Sequence, residues 1–226
     1  LPIQEMIVEN IAFYDRITAE HPVSPRSLSN EVQMEEKYKN RHKIALITGA
    51  SSGIGESFAR KLSSQGYGLI LVARRKDRLE KLSSELRKTY SIPIGVLSTD
   101  LAKEKDVIEI EKRIAKVGNI AILVNNAGFG TRGHFVEVDI EKSVDMINVH
   151  IVASTRLTRA ILPQMIKRNE GVIINVSTIV SETPGPGRVV YTATKSYLNS
   201  FSRSLQAEIR EKGLAIKVRA ILPGLT

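Results

Sequence analysis

Lys43-Ile-Ala-Leu-Ile-Thr-Gly-Ala-Ser-Ser-Gly-Ile-Gly55 decides the fold of this chain. Lys43–Thr48 is an apolar run short enough for a buried strand. Gly53–Gln65 reads as a helix, and Gly66 suits the position just past its end. Between them the glycines are spaced G-x-x-x-G-x-G. Glycine lets such a turn be tight and lets a pyrophosphate approach the backbone, while the helix amino terminus presents free N–H groups to it. A strand, a glycine loop and a helix in that order predict a dinucleotide seat, with Gly49, Ser51, Ser52, Gly53, Ile54 and Gly55 as its candidate contacts.

The same alternation continues outward. Gly68–Ala73 reads as a second strand, followed by a charged helix over 76–89. Ile94–Thr99 and Ile120–Val124 read as strands on either side of a helix over Lys103–Val117. A long helix is expected from Ile140 toward Arg168, with a kink at Pro163. Val172–Val176, a helix running to about Lys212, and Ala215–Leu222 complete the pattern. Continuous apolar strands alternating with helices predict a parallel sheet covered on both faces. Right-handed crossovers make it an α/β, Rossmann-like, doubly wound single domain of three layers, with ligands at the carboxyl ends of its strands. The glycine loop, Asn125-Asn-Ala-Gly128, residues 177–178 and Pro223-Gly224 all fall at such ends.

Tyr191-Thr-Ala-Thr-Lys195 supplies a chemistry for that crevice. Residues four apart share a helix face. A phenol beside an ammonium can release its proton well below its free pKa of about 10. The pair reads as a proton donor for alcohol and ketone chemistry. An acidic residue at the end of the second strand ordinarily takes the ribose 2′-hydroxyl. Here Ala73 stands at that place, followed by Arg74 and Arg75. Guanidinium suits a 2′-phosphate, which argues for NADP over NAD.

The chain has 226 residues, 42% of them hydrophobic, and no cysteine. Disulfides and thiol chemistry are therefore excluded, and the four histidines show no metal-ligand spacing. No apolar run approaches a membrane span, and no leader pattern opens the chain, so the expected compartment is cytoplasmic. Net charge is +9, divided as −2 over residues 1–42 and +11 over 43–226. The basic residues are scattered through mixed helical runs, which favours solvated faces and a phosphorylated cofactor over nucleic acid. Residues 1–42 read as a separate extension, flexible or a docking arm. They hold a short amphipathic stretch at Ile3, Met6, Ile7 and Ile11, then a loop over 19–30. The domain proper is expected over 43–226.

TGASSGIG at 48–55, Asp100-Leu101, NNAG at 125–128, YTATK at 191–195 and Pro223-Gly224 together resemble the short-chain dehydrogenase/reductase family, in its compact rather than extended branch. The resemblance covers residues 43–226. It implies hydride transfer between NAD(P) and an alcohol or carbonyl carbon of a small molecule. It places Asp100, Leu101, Asn126, Ala127 and Gly128 along the cofactor, Pro223 and Gly224 near the nicotinamide, and Lys195 on its ribose. It also implies a homo-dimer or homo-tetramer through the helices over 140–168 and 189–212, with Ile151, Leu157, Ile161, Leu198, Phe201 and Leu205 as apolar candidates.

This chain departs from the family's pattern at two catalytic positions. The usual serine falls on Thr178, with Ser177 as the alternative hydroxyl. The usual asparagine of a water relay falls on His150, with Asn148 about 200° away around a helix. A relay role is the expectation for His150, with a packed histidine and a different water path as the alternative. The family continues past Pro-Gly with a lid and a further strand, so these residues lack that part of a substrate pocket. Phe129, Val180 and Pro184–Gly187 are the expected apolar wall. The resulting expectation is an NADP-dependent carbonyl reductase or alcohol dehydrogenase. The alternative is a non-catalytic NADP-binding sensor or scaffold of the same fold.

Overall fold

Six parallel strands form one sheet in the computed structural model, which describes residues 42–224. The expected extension over residues 1–41 lies outside the described residues, as do Leu225 and Thr226. The strands are β1 (Ile44–Thr48), β2 (Gly68–Ala73), β3 (Ile94–Ser98), β4 (Ile120–Asn125), β5 (Val172–Val176) and β6 (Lys217–Ile221). Their order across the sheet is β3-β2-β1-β4-β5-β6. The helices are α1 (Gly53–Ser64), α2 (Lys76–Tyr90), α3 (Glu104–Ile114), α4 (Ile140–Ile147), α5 (Ser154–Arg168) and α6 (Val189–Glu211).

The two-residue period of each strand sorts its side chains between two cores. Ala45, Ile47, Leu69 and Leu71 belong to one core, with Phe58 and Leu62 of α1 and Leu79 and Leu86 of α2. Leu46, Val72 and Leu123 belong to the other, with Ile110 and Ile114 of α3 and Leu157, Ile161 and Met165 of α5. Burying a Leu, Ile or Phe fully is worth about 1.5–3 kcal/mol. β1, β4 and β5 are buried at every position, as a double-covered sheet requires. The outer strands β3 and β6 are partly exposed.

Between β3 and β4 the chain crosses the sheet and begins winding the other way. The connections leaving the carboxyl ends of β1 and β4 therefore turn to opposite faces of the sheet, and a crevice opens between them, the usual ligand position in such sheets.

One expectation about the helices is corrected. The stretch from Ile140 to Arg168 is interrupted by a wide, π-type turn over Asn148–Ala153, while Pro163 sits inside an unbroken α5. The irregularity stands at His150, beside the crevice, where a widened turn aims side chains differently from a regular helix.

Candidate active site

The crevice at the carboxyl ends has a volume of about 550 Å3. Its floor is the glycine loop. Gly49 has φ +66, and a Cβ there would meet the Asn126 side chain at 2.7 Å. A Cβ on Gly55 would meet the Gly49 carbonyl oxygen at 2.4 Å. Only glycine permits this approach of α1 to the loop. The loop is latched to β4 through Thr48 and Asn126. The Thr48 hydroxyl accepts from the N–H groups of Asn126 and Ala127, both at 2.9 Å, and donates to the Val124 carbonyl. The Asn126 amide donates to the Thr48 and Gly49 carbonyls. Asn126 thus lines the crevice, but its amide nitrogen is committed to holding the loop.

Both arginines after β2 line the crevice, and geometry separates their parts. Arg74 is exposed. The Arg75 guanidinium reaches back over the loop, donating to Ser51 Oγ at 3.0 Å and Ser52 Oγ at 2.7 Å. It stands as a cation directly beside the amino end of α1. Asp100 and Leu101 line the same end, where Asp100 accepts from Ala102 N–H at 3.2 Å. Ile54, Ala127, Gly128, Pro223 and Gly224 also line the crevice, whereas Gly53 and Gly55 do not.

At the other end stand Tyr191, Lys195, Thr178 and Ser177. Tyr191 and Lys195 lie one turn apart on α6, with Lys195 Nζ 6.0 Å from the Tyr191 ring centroid. Lys195 is buried and donates to the Val176 carbonyl at 2.7 Å. Burial lowers its pKa from the ordinary 10.5 to about 8, because desolvation penalises the charged form. The two candidate hydroxyls differ. Ser177 Oγ is turned onto α6 and donates to the Lys195 carbonyl at 3.0 Å. Thr178 Oγ1 has only a long contact, 3.4 Å, from Val180 N–H, where it caps a short 3-10 turn over Ile179–Glu182. Thr178 is thus the hydroxyl with spare capacity.

The relay expected of His150 meets an obstacle. It needs a ring nitrogen open to water, yet both nitrogens are engaged by the protein. Nε2 receives Phe129 N–H at 3.2 Å, and Nδ1 lies 2.8 Å from Thr194 Oγ1. His150 is fully buried and does not line the crevice. Asn148 points away, donating to the Ala102 carbonyl, so it does not substitute. Of the expected apolar wall, Phe129 and Val180 line the crevice but Pro184–Gly187 do not. Arg132 and Arg188 line it instead. No local pattern marks them, because a loop from β4 and the start of α6 meet only in the fold. There, Gly133 N–H donates to the Gly187 carbonyl at 3.1 Å. Beneath the site a buried chain joins the strands to the helices. Asn125 donates to Asn175 at 2.8 Å and to Thr158, and Asn175 donates to Ser202 at 2.8 Å.

Among the described residues no acidic or histidine cluster could hold a metal. No helix among them is long and apolar enough to cross a membrane.

A family model for the short chain dehydrogenases matches residues 43–226. The chain belongs to this family. The very-long-chain 3-oxoacyl-CoA reductase of Anas platyrhynchos is 33% identical over 183 residues, which cover 79% of this chain and 58% of that protein. An inactive hydroxysteroid dehydrogenase-like protein 1 of Pongo abelii is 32% identical over 181 residues, covering 79% and 54%. The chain thus spans less than two thirds of the length of these relatives. Among solved structures, a short-chain dehydrogenase from Sphingobium yanoikuyae in complex with NADPH superposes with a TM-score of 0.77 at 37% identity. That superposition covers 81% of this chain and 71% of the other. As a short-chain dehydrogenase fold, the sheet and crevice suit a nicotinamide dinucleotide. The glycine cradle would close if Gly49 or Gly55 carried a Cβ, and the Arg75 cation stands over it.

Proposed function

We propose that this short-chain dehydrogenase transfers hydride between NADP and a carbonyl or secondary alcohol carbon of a small molecule. The observation that carries the reading is the convergence of Tyr191, Lys195 and Thr178 on the crevice that holds the glycine loop and Arg75. The nicotinamide cofactor, when bound, supplies or accepts the hydride. The chain's own residues do the rest. In reduction, Tyr191 donates its phenolic proton to the carbonyl oxygen as general acid. Thr178 donates a hydrogen bond to the oxygen as charge develops on it. Lys195 brings a cation to the Tyr191 ring and serves the ribose. Phe129 and Val180 exclude water beside the reacting carbon. The activity named for the Anas platyrhynchos relative, reduction of a 3-oxoacyl-CoA, is consistent with a carbonyl substrate. The test is turnover of NADPH with a panel of ketones, and no turnover with any of them would sink the reading. One observation favours the second reading, a nucleotide-binding sensor or scaffold: a relative of nearly equal identity is named inactive. NADPH binding without turnover would support it.

The preference for NADP rests on Arg75, which Ser51 and Ser52 hold over the glycine loop, more than on Arg74. A charge-assisted hydrogen bond is worth about 1.5–3 kcal/mol, or roughly ten- to a hundredfold in affinity. Wild type is therefore expected to bind NADPH that much more tightly than NADH. Arg75→Ala should erase most of the difference and Arg74→Ala part of it. Equal wild-type affinities by fluorescence titration would remove NADP from the proposal.

We also propose self-association through α4–α6. Of the apolar residues expected at this interface, Leu157, Ile161 and Leu198 pack inward and are withdrawn. The outward stripe runs instead through Ile140, Val144 and Ile147, at 62%, 40% and 38% exposure. On α6 the stacked Tyr197 and Phe201 rings are half-buried, and Thr155 of α5 meets the Tyr197 hydroxyl at 2.9 Å. Exposed apolar side chains about one turn apart on one helix, as on α4, mark interfaces. Light scattering on the protein should give a dimer or tetramer, and Val144→Lys should weaken it. A wild-type monomer refutes the assignment.

A further inference from the structure

His150 is the place where this chain departs furthest from what its motifs promised. Its ring lies in the wide turn over Asn148–Ala153, with no solvent exposure. Three hydrogen bonds pass through or beside it, and their directions can be worked out. Phe129 N–H is a backbone donor and cannot accept, so Nε2, 3.2 Å away, must present its lone pair. The ring proton of the neutral imidazole then sits on Nδ1. Nδ1 is 2.8 Å from Thr194 Oγ1. The Thr194 hydroxyl donates to the Tyr191 carbonyl at 2.9 Å, which leaves its oxygen to accept from Nδ1–H. The order is thus Phe129 N–H, His150, Thr194 O–H, Tyr191 carbonyl, with every donor facing an acceptor.

Packing closes the arrangement from the sides. A Cβ on Gly128 would meet Nε2 at 2.4 Å, so glycine in that position is what admits the ring. The His150 ring meets the edge of Phe129 at 6.3 Å between centroids and that of Tyr191 at 6.0 Å. α6 presents Lys195 and Tyr191 to it, and the segment after β4 presents Gly128 and Phe129. Protonating Nε2 would set two N–H donors against each other at a buried position, facing a lysine. Burial first, and the Lys195 charge second, push the His150 pKa down to about 2.

We propose that His150 is a positioning residue: an uncharged, Nδ1-protonated strut that ties the loop after β4 to the first turn of α6 and thereby sets where Tyr191 stands. The part of this that concerns turnover rests on the oxidoreductase reading; the strut itself does not. A residue of this kind acts through Tyr191 and carries no proton to or from substrate. Proton supply to Lys195 then has to come by a path that does not include the His150 ring.

The two arms of the strut can be cut separately. An asparagine amide reaches about as far from the backbone as Nδ1, and a glutamine amide about as far as Nε2. His150→Asn can keep the bond to Thr194 and loses Phe129. His150→Gln can keep Phe129 and loses Thr194. One hydrogen bond is worth up to about tenfold. His150→Gln should therefore lower kcat by about tenfold with the KM for NADPH unchanged. Thr194→Val should do the same, Thr194→Ser should retain wild-type kcat, and the Gln/Val double variant should lose no more than either alone. His150→Asn cuts the loop end of the same tie and should lower kcat by a similar amount.

The second measurement needs no substrate. Long-range proton–nitrogen correlation of the full chain, with the His150 signal identified by its absence in His150→Gln, should show Nδ1–H. That signal should be constant from about pH 5 to 9, the range where a free imidazole titrates. An Nε2–H ring, or titration near the free value, overturns the strut. A locked ring with undiminished kcat in His150→Gln and Thr194→Val overturns the positioning role. If wild type turns over no ketone, the oxidoreductase reading fails, while the spectrum still decides the strut.

Discussion

Tyr191→Phe should lower NADPH-dependent ketone reduction by about 100- to 10,000-fold, the range of a general acid's contribution, and leave NADPH affinity nearly unchanged. The substitution removes one oxygen and keeps the ring. The ring's contacts are not made by that oxygen. It packs edge-on to His150 at 6.0 Å, and Gly130 lies against it closely enough that a Cβ there would meet it at 3.3 Å. The stability of α6 and the shape of the crevice should therefore survive. A steady-state assay and a cofactor titration on the same preparation separate the two effects. Near-normal reduction by the Phe variant would mean that another group protonates the alkoxide. The Thr178 hydroxyl would then be the first to test.

Lys195→Ala should cost about 100-fold or more in kcat/KM and also weaken NADPH binding, because one side chain serves both the phenol and the ribose. Its pH behaviour gives a sharper check. The Lys195 pKa is lowered to about 8 by burial. Below that value the side chain is an ammonium facing Tyr191, and above it the charge is lost. kcat/KM for reduction, which reports the free enzyme, should fall as pH rises through about 8. That limb should vanish in Lys195→Ala.

Stability moves the other way. Between about 8 and 10.5 the unfolded chain holds the lysine proton that the folded chain has released. Where the unfolded state binds more protons, stability rises with pH. The melting temperature should therefore climb across this window in wild type and stay flat by comparison in the Ala variant. A flat wild-type profile in both measurements would show that Lys195 keeps an ordinary pKa and that its burial is compensated.

The site was legible to different degrees along its length. Gly49, Gly55, Tyr191 and Lys195 can be placed from sequence alone, since each belongs to a motif whose period is local. A glycine spacing specifies a turn between a strand and a helix. An offset of four on a helix puts two side chains on one face. The strands were legible for the same reason, and β2 and β5 begin and end at the expected residues, Gly68–Ala73 and Val172–Val176. The wide turn at Asn148–Ala153 was not legible, because nothing in its sequence breaks helical periodicity. Pro163, which does carry a local signal, lies inside α5 without ending it.

The sequence by itself determined the class of fold, the position of the crevice and the Tyr–Lys pair, because strand period, helix period and glycine freedom are properties of neighbouring residues. Only the tertiary structure decided which arginine lies over the glycine loop, which hydroxyl keeps spare capacity, and what the imidazole of His150 does. Arg75 finds Ser51 across 24 residues of chain, Ser177 finds the Lys195 carbonyl across 18, and His150 finds Thr194 across 44. Partners that far apart meet through the order of strands in the sheet. A hydrogen bond depends on distance and direction to within tenths of an ångström, which no local periodicity specifies.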